Sequence, residues 1–136
     1  MLNTILNETV SLLNSNGIDT VYSVYDNIPI PSKGSGIFTV AGIDSFESSS
    51  PIHAEFRIFL PFKAEVGITL IAPLSCTMAE LYSYFDTHIV PLAENPGSLS
   101  FSLKSAAMKT DSNIGRLILK AKFSVSGITS FVRRSE

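Results

Sequence analysis

Two histidines, one cysteine and scattered carboxylates are the groups in this chain that could do acid–base, nucleophilic or metal chemistry. His53, Glu55 and Arg57 recur at every second position. On a β-strand that spacing puts all three side chains on one face. An imidazole beside a carboxylate could move a proton, but the set lacks a nucleophile and a recognisable oxyanion donor. A solvated or subunit-facing strand surface explains the stripe better than catalysis does. His88 follows Asp86 by two positions in a helical stretch and faces no obvious partner. It reads as a surface histidine, because a metal site needs further ligands that the sequence does not place. Cys76 is the single cysteine, so no intramolecular disulfide forms and a Cys-based zinc site is excluded. A lone cysteine reads as a small buried hydrophobe. Gly34-Ser35-Gly36 is not a dinucleotide fingerprint, and neither a phosphate loop nor a GxSxG elbow occurs. Phe38, Phe59 and Tyr82 could stack on bases, but no basic groove accompanies them. The expectation is a protein without catalytic residues, metal ligands or cofactor.

The elements that would position these residues follow from periodicity. Leu2, Ile5, Leu6, Thr9, Leu12 and Leu13 lie on one side of a helix over residues 2–15, with Val10 at the boundary. Gly17 is a plausible stop, since glycine accepts the left-handed geometry beyond a helix end. Residues 20–25 are β-branched and aromatic and read as a short strand. Residues 26–36 form a Pro- and Gly-containing loop. A strand over 37–43 and a polar hairpin connection over 44–51 come next. The run from Ile52 to Phe62 alternates strictly, with every even position apolar, and reads as one half-buried strand. Residues 63–76 carry no clean period; Gly67 to Ala72 could be a strand or a buried extended segment, ended by Pro73.

Thr77 and Glu80 match a capping box. Behind it Met78, Leu81, Tyr82, Phe85 and Ile89 trace one helical stripe, read as core rather than a cofactor box. Pro91 disfavours helix at Val90. Leu99, Phe101 and Leu103, then Leu117, Leu119, Ala121, Phe123 and Val125, alternate with polar residues around a turn at 111–113. Ile118 is the exception on the polar side. This is an antiparallel hairpin. The order α-β-β-β-α-β-β predicts one α+β domain over residues 1–136, with a mostly antiparallel sheet and helices packed on one face.

Composition narrows the functional classes. A chain of 136 residues buries roughly two thirds of its unfolded surface and folds without metal or disulfide. Charged residues make up 16%, against about 25% in an average protein, and mean hydropathy is +0.29. So few charges hint at burial in an assembly, although many Ser, Thr and Asn residues could also supply a polar surface. Net charge is −2, and nothing in the overall balance supports a nucleic-acid groove. Residues 1–14 lack a basic stretch and an unbroken apolar run, so no signal peptide is expected. No stretch of 18 apolar residues occurs, so no membrane span is expected. The loops 26–36 and 44–51 offer Ile28, Pro29, Ile30, Pro31 and Phe46 as points for contact with another protein.

The order of these elements, with Tyr25-Asp26-Asn27-Ile28-Pro29-Ile30-Pro31 after the first strand, the alternating strand from His53 to Phe62 and a restart at Gly115-Arg116-Leu117, resembles the tail-terminator and related tail-completion (minor capsid) proteins of long-tailed bacteriophages and prophages. The resemblance rests on order and pattern rather than a sharp motif. It implies a non-enzymatic structural protein that forms a homo-oligomeric ring, a hexamer among the options. That ring would cap the tail tube and join it to the head. The implied partners are tail-tube and head-completion proteins, with DNA only passing through the ring lumen and no membrane. The implied location is the virion tail, assembled in the host cytoplasm. Subunit contacts are expected on both loops and on the outer face of strand 52–62, including Glu55 and Arg57. A head–tail connector or neck component is the alternative within this class. A small α+β ligand-binding module or enzyme, using His53, Glu55 and Tyr82, is the alternative outside it.

Overall fold

The computed structural model describes residues 2–18, 21–23, 36–73, 75–94, 99–111 and 116–132. Helix α1 (Leu2–Ser15) precedes strands β1 (Val21–Ser23), β2 (Phe38–Ser48), β3 (Ile52–His53) and β4 (Arg57–Pro73). Helix α2 (Met78–His88), a 3-10 turn (Val90–Glu94) and strands β5 (Ser100–Asp111) and β6 (Arg116–Val132) follow. One six-stranded sheet runs β1-β2-β4-β6-β5, with β3 paired to β4. The β1–β2 pair is parallel and all others are antiparallel. The class is α+β, with one more strand than the sequence order suggested.

The centre of the fold is the β4–β6 ladder, in register from Arg57↔Val132 to Pro73↔Arg116. Residues directly opposite in a ladder project to the same side. Phe62, Ala64, Val66, Ile68, Leu70 and Ala72 therefore share a face with Leu117, Leu119, Ala121, Phe123 and Val125, and all are buried. Ile5 and Leu13 of α1, Leu81 and Phe85 of α2, and Ile89 just beyond its end join the same core cluster.

The alternating run is not one strand. It turns at residues 54–56, where the Ala54 N–H donates to the Arg57 carbonyl at 2.8 Å. Ile52 then pairs with Phe59, and His53 with Ile58. No Gly or Pro marks this turn, so alternation runs through it unbroken. Residues 63–73, unreadable by period, are the heart of β4. Gly67 and Ile71 on the second face are buried too, and this erases the alternation. Pro61 sits inside β4 without breaking it. A strand residue's N–H and C=O point the same way, and the Pro61 carbonyl accepts from Ser49 N–H at 2.9 Å. Its missing donor thus faces the gap between β2 and β3, and no bond to β6 is lost.

Residues 44–48, expected as connection, belong to β2. A bulge between Ile43 and Ser45 lets Asp44 lie over Gly67, where an added Cβ would stand 2.8 Å from its carboxylate. A second bulge between Leu103 and Ser105 carries β5 on to Asp111. The exceptional Ile118 also finds its reason. Phe38, Ile71 and Ile118 are neighbours on the face away from the main core, with Tyr22 against Phe38 at 6.1 Å. The buried Arg116 guanidinium lies 5.9 Å from the Phe38 ring centre.

The helices are narrower in their packing than their stripes suggested. Met78 is 51% and Tyr82 48% exposed, so α2 buries only Leu81 and Phe85, with Ile89 beyond its end. Thr77 caps α2, accepting from Glu80 N–H at 3.1 Å. The buried Thr9 hydroxyl donates to the Ile5 carbonyl at 2.8 Å. His88 has a partner after all. Its Nδ1 is 2.7 Å from the Asn16 carbonyl oxygen, while the Asn16 side chain donates to the His88 carbonyl at 3.2 Å. Gly17, at φ +104°, packs so closely that an added Cβ would meet the His88 ring at 3.2 Å. The ends of the two helices are thereby tied together.

Gly127 marks the edge of the core. It lies opposite Phe62, and an added Cβ would stand 2.7 Å from Leu99 and 2.8 Å from the Phe62 ring. Replacing Gly127 by Val is expected to destabilise the fold by about 1–3 kcal/mol through overpacking. Chemical denaturation of the two proteins measures it, and unchanged stability would show that Phe62 moves freely.

Candidate assembly surface

Beyond Phe62 and Gly127 the β4–β6 ladder continues for five more pairs, from Pro61↔Ile128 to Arg57↔Val132. Its backbone is paired, and apolar side chains stand on both faces, beside Thr129 on one and Arg57 and Ser130 on the other. Leu60, Ile58 and Phe131 occupy the face continuous with the core. Phe59, Pro61, Ile128 and Val132 occupy the other, joined by Ile52 from β3. Ile128 is 64%, Val132 67%, Phe131 47% and Ile52 55% exposed, and Phe56 at the turn is 72% exposed. Exposed large apolar side chains clustered on both sides of one ribbon are unusual for a surface facing only water. Among the described residues β5 begins opposite Ser126, so the far edge of β6 over 127–132 is unpaired. A shallow recess of about 480 Å³ at the base of this ribbon includes Pro61, Gly127 and Ile128.

Sequence reasoning put weight on neighbouring residues but not on this cluster. Glu55 lies at the exposed turn, and Arg57 opens β4, donating from Nη1 to the Ser130 hydroxyl at 3.0 Å. The turn separates His53 from Arg57. His53 lies opposite Ile58, so it projects to the other side of the sheet, and the expected His53–Glu55–Arg57 stripe does not form. Phe46 is half-buried and stacked on Phe62 at 5.8 Å and 24°, supporting the core's edge. Ile28, Pro29, Ile30 and Pro31 lie outside the described residues. Phe131 and Val132 fall beyond the alternation that ended near Ser126 in the sequence reading. Gly127, which interrupts that alternation, was the available signal.

The remaining chemistry is dispersed. A groove of about 380 Å³ between α1 and β2 is lined by Leu2, Leu6, Ile43, Asp44 and Phe46 among others. His53, Glu55 and Tyr82 do not line it. No cluster of three or more His, Cys, Asp or Glu residues suited to a metal ion occurs among the described residues. No helix among them is long and apolar enough to cross a membrane. Partial burial pushes the Cys76 thiol pKa up, and the Glu80 carboxylate beside it adds to the shift. A raised thiol pKa leaves less thiolate at neutral pH. Cys76 is therefore expected to react with iodoacetamide more slowly than a free cysteine peptide at pH 8, with the gap closing at higher pH. A rate equal to the peptide's at pH 8 would contradict that environment.

No protein-family model matches the chain, and no curated protein does. Solved structures do. The type 4 fimbrial biogenesis protein PilO from Pseudomonas aeruginosa aligns over 97% of this chain and 72% of its own, at 10% identity. Its TM-score of 0.33 is too low to carry an argument. A second structure, without a functional description, aligns over 96% of this chain and 97% of its own, at 8% identity and a TM-score of 0.50. The sheath/tube terminator of an extracellular contractile injection system aligns over 96% of this chain, at 12% identity and a TM-score of 0.53. This chain spans 57% of that protein's length. At such identity the likeness is one of fold alone: this chain shares its fold with the sheath/tube terminator of an extracellular contractile injection system.

Proposed function

We propose that this chain is a non-enzymatic structural subunit of a phage tail or tail-like particle, forming a ring that closes the end of the tail tube. The observation that carries the reading is the distal β4–β6 ribbon, with Ile52, Phe56, Ile128, Phe131 and Val132 left exposed around a paired backbone. The fold likeness to a sheath/tube terminator supports it. A ring requires one patch to meet a different patch on the next subunit. The ribbon supplies one such patch, and Glu55 and Arg57 stand at its tip. In this reading the tail-tube and head-completion proteins are the further partners, and the protein acts in the tail of a virion or prophage particle.

Magnitudes favour assembly in a closed or templated form. Fully burying one large apolar side chain contributes about 1.5–3 kcal/mol. The ribbon residues are already partly covered, so together they would supply roughly 5 kcal/mol. That is near the lower end of the roughly 4–15 kcal/mol that association costs. One contact is therefore marginal. Ring closure gives every subunit two contacts, and docking on a tube end adds more.

The experiment is absolute mass by light scattering over a concentration series, with negative-stain imaging of large species. Closed rings with a central hole are expected, either alone or when tail tubes are added. A variant carrying Phe56→Asp and Ile128→Asp should remain monomeric with an unchanged melting temperature. A wild-type monomer that also fails to bind tail tubes would overturn the reading. The groove between α1 and β2 would then become the place to search for a small ligand.

A further inference from the structure

A strand edge presents a row of unpaired N–H and C=O groups, and proteins blunt such edges with charge, proline, bulges or shortness. Among the described residues the two outer strands of this sheet follow that rule. Strand β1 is three residues long. Strand β5 carries Lys104, Lys109 and a bulge between Leu103 and Ser105. The free edge of β6 beyond Ser126 has none of these devices. Its residues Ile128, Thr129, Ser130, Phe131 and Val132 are uncharged, rich in strand formers and in unbroken register with β4.

The direction of each backbone group on this edge follows from β4. The Pro61 carbonyl accepts from Ser49 N–H at 2.9 Å and the Arg57 carbonyl from Ala54 N–H at 2.8 Å, both on the side away from β6. Along an antiparallel ladder the backbone groups of successive residues point to alternate sides. Ile58, Leu60 and Phe62 therefore bond to β6, and their opposites Phe131, Thr129 and Gly127 bond back. Ile128, Ser130 and Val132 each turn an N–H and a C=O outward.

We propose that this edge pairs with the same edge of a second copy of the chain, antiparallel, about a two-fold axis through Ser130. An isologous contact needs a self-complementary patch, and this edge is one. With the axis at Ser130, Ser130 faces Ser130 and Ile128 faces Val132 in both directions, so every outward N–H and C=O finds a partner. An axis normal to the sheet keeps each face on its own side. Ile128 then packs beside Val132 of the second copy on one face, and Thr129 beside its Phe131 on the other. Ile128, Phe131 and Val132 are the apolar β6 side chains that one copy leaves exposed here. Moving the axis to Thr129 sets Ile128 against Ser130 and drives Val132 onto Ser126, whose outer side β5 already holds. Moving it to Phe131 takes Ile128 past the end of β6. Strand addition of this kind draws affinity from main-chain bonds and specificity from alternate side chains. The contact closes on itself, so it makes a dimer and is separate from the head-to-tail contact of a ring.

Sedimentation of the full chain over a concentration series tests it, with residue-resolved amide exchange by NMR at both ends of the series. A strand pair this short buries less than the roughly 1,600 Å² of a standard interface. The expected species is a weak dimer, twice the 14.7 kDa of one chain, that grows with concentration. As it forms, exchange should slow at the N–H groups of Ile128, Ser130 and Val132, whereas those of Thr129 and Phe131 are protected by β4 throughout. Ser130→Pro removes the N–H on the axis and no bond to β4, and Pro61 already sits in this ladder with its ring nitrogen facing outward. It should weaken the dimer by about tenfold or more. Ser130→Ala loses only the hydroxyl that accepts from Arg57 and should dimerise as the wild type does. If Ser130→Pro does not fold, Ile128→Lys sets an ammonium against Val132 of the second copy and should have the same effect. A monomer up to about 1 mM would overturn the proposal, as would a dimer that the folded edge variant leaves unchanged. Rings that form while the Ser130 N–H exchanges as in the monomer would uphold the ring and overturn the edge contact.

Discussion

The long antiparallel ladder between β4 and β6 is the constraint on which the other features depend. Seventeen residues in each strand hold one register from Arg57↔Val132 to Pro73↔Arg116. A slip of one residue would turn Val66, Ile68 and Leu70 out of the core and bring Glu65 and Lys120 in. The helices can bury Ile5, Leu13, Leu81 and Phe85 only because this register presents a continuous apolar face. The same register lifts the lysines of β6 onto the opposite face. It also carries the strands past the end of the core, where Gly127 admits the Phe62 ring and the ribbon begins.

Legibility in the sequence followed how each element is covered. Helix α1 was read to its last residue, because one side packs and the other meets water. The Thr77 cap was legible because a side-chain hydroxyl at that offset has one use. The centre of β4 was not legible, since both of its faces are covered around Gly67 and Ile71. The turn after β3 was missed for the opposite reason. Ala54, Glu55 and Phe56 lack turn residues, and alternation survived a reversal of the chain. His88 looked solitary because its partner, the Asn16 backbone, is 72 residues away and leaves no side-chain signature.

The candidate surface was legible only in its outskirts. Glu55 and Arg57 were placed near it, but Ile52 and Phe56 were read onto the core face of a strand, and Ile128, Phe131 and Val132 lie beyond the alternation that was read. A period-two pattern reports which residues share a face. It does not report whether a helix reaches far enough to cover them. Here the covered and uncovered parts of one ladder share one pattern, and Gly127 is the boundary.

The central claim is that the distal ribbon is a preformed surface, paired in its backbone and awaiting burial of its side chains. Hydrogen–deuterium exchange, comparing dilute subunit with assembled rings or tube-bound protein, tests it most directly. The account predicts that assembly slows exchange chiefly over residues 52–60 and 127–132, while the β4–β6 core is protected in both states. Unchanged exchange in the ribbon, with new protection confined to other surfaces, would contradict it.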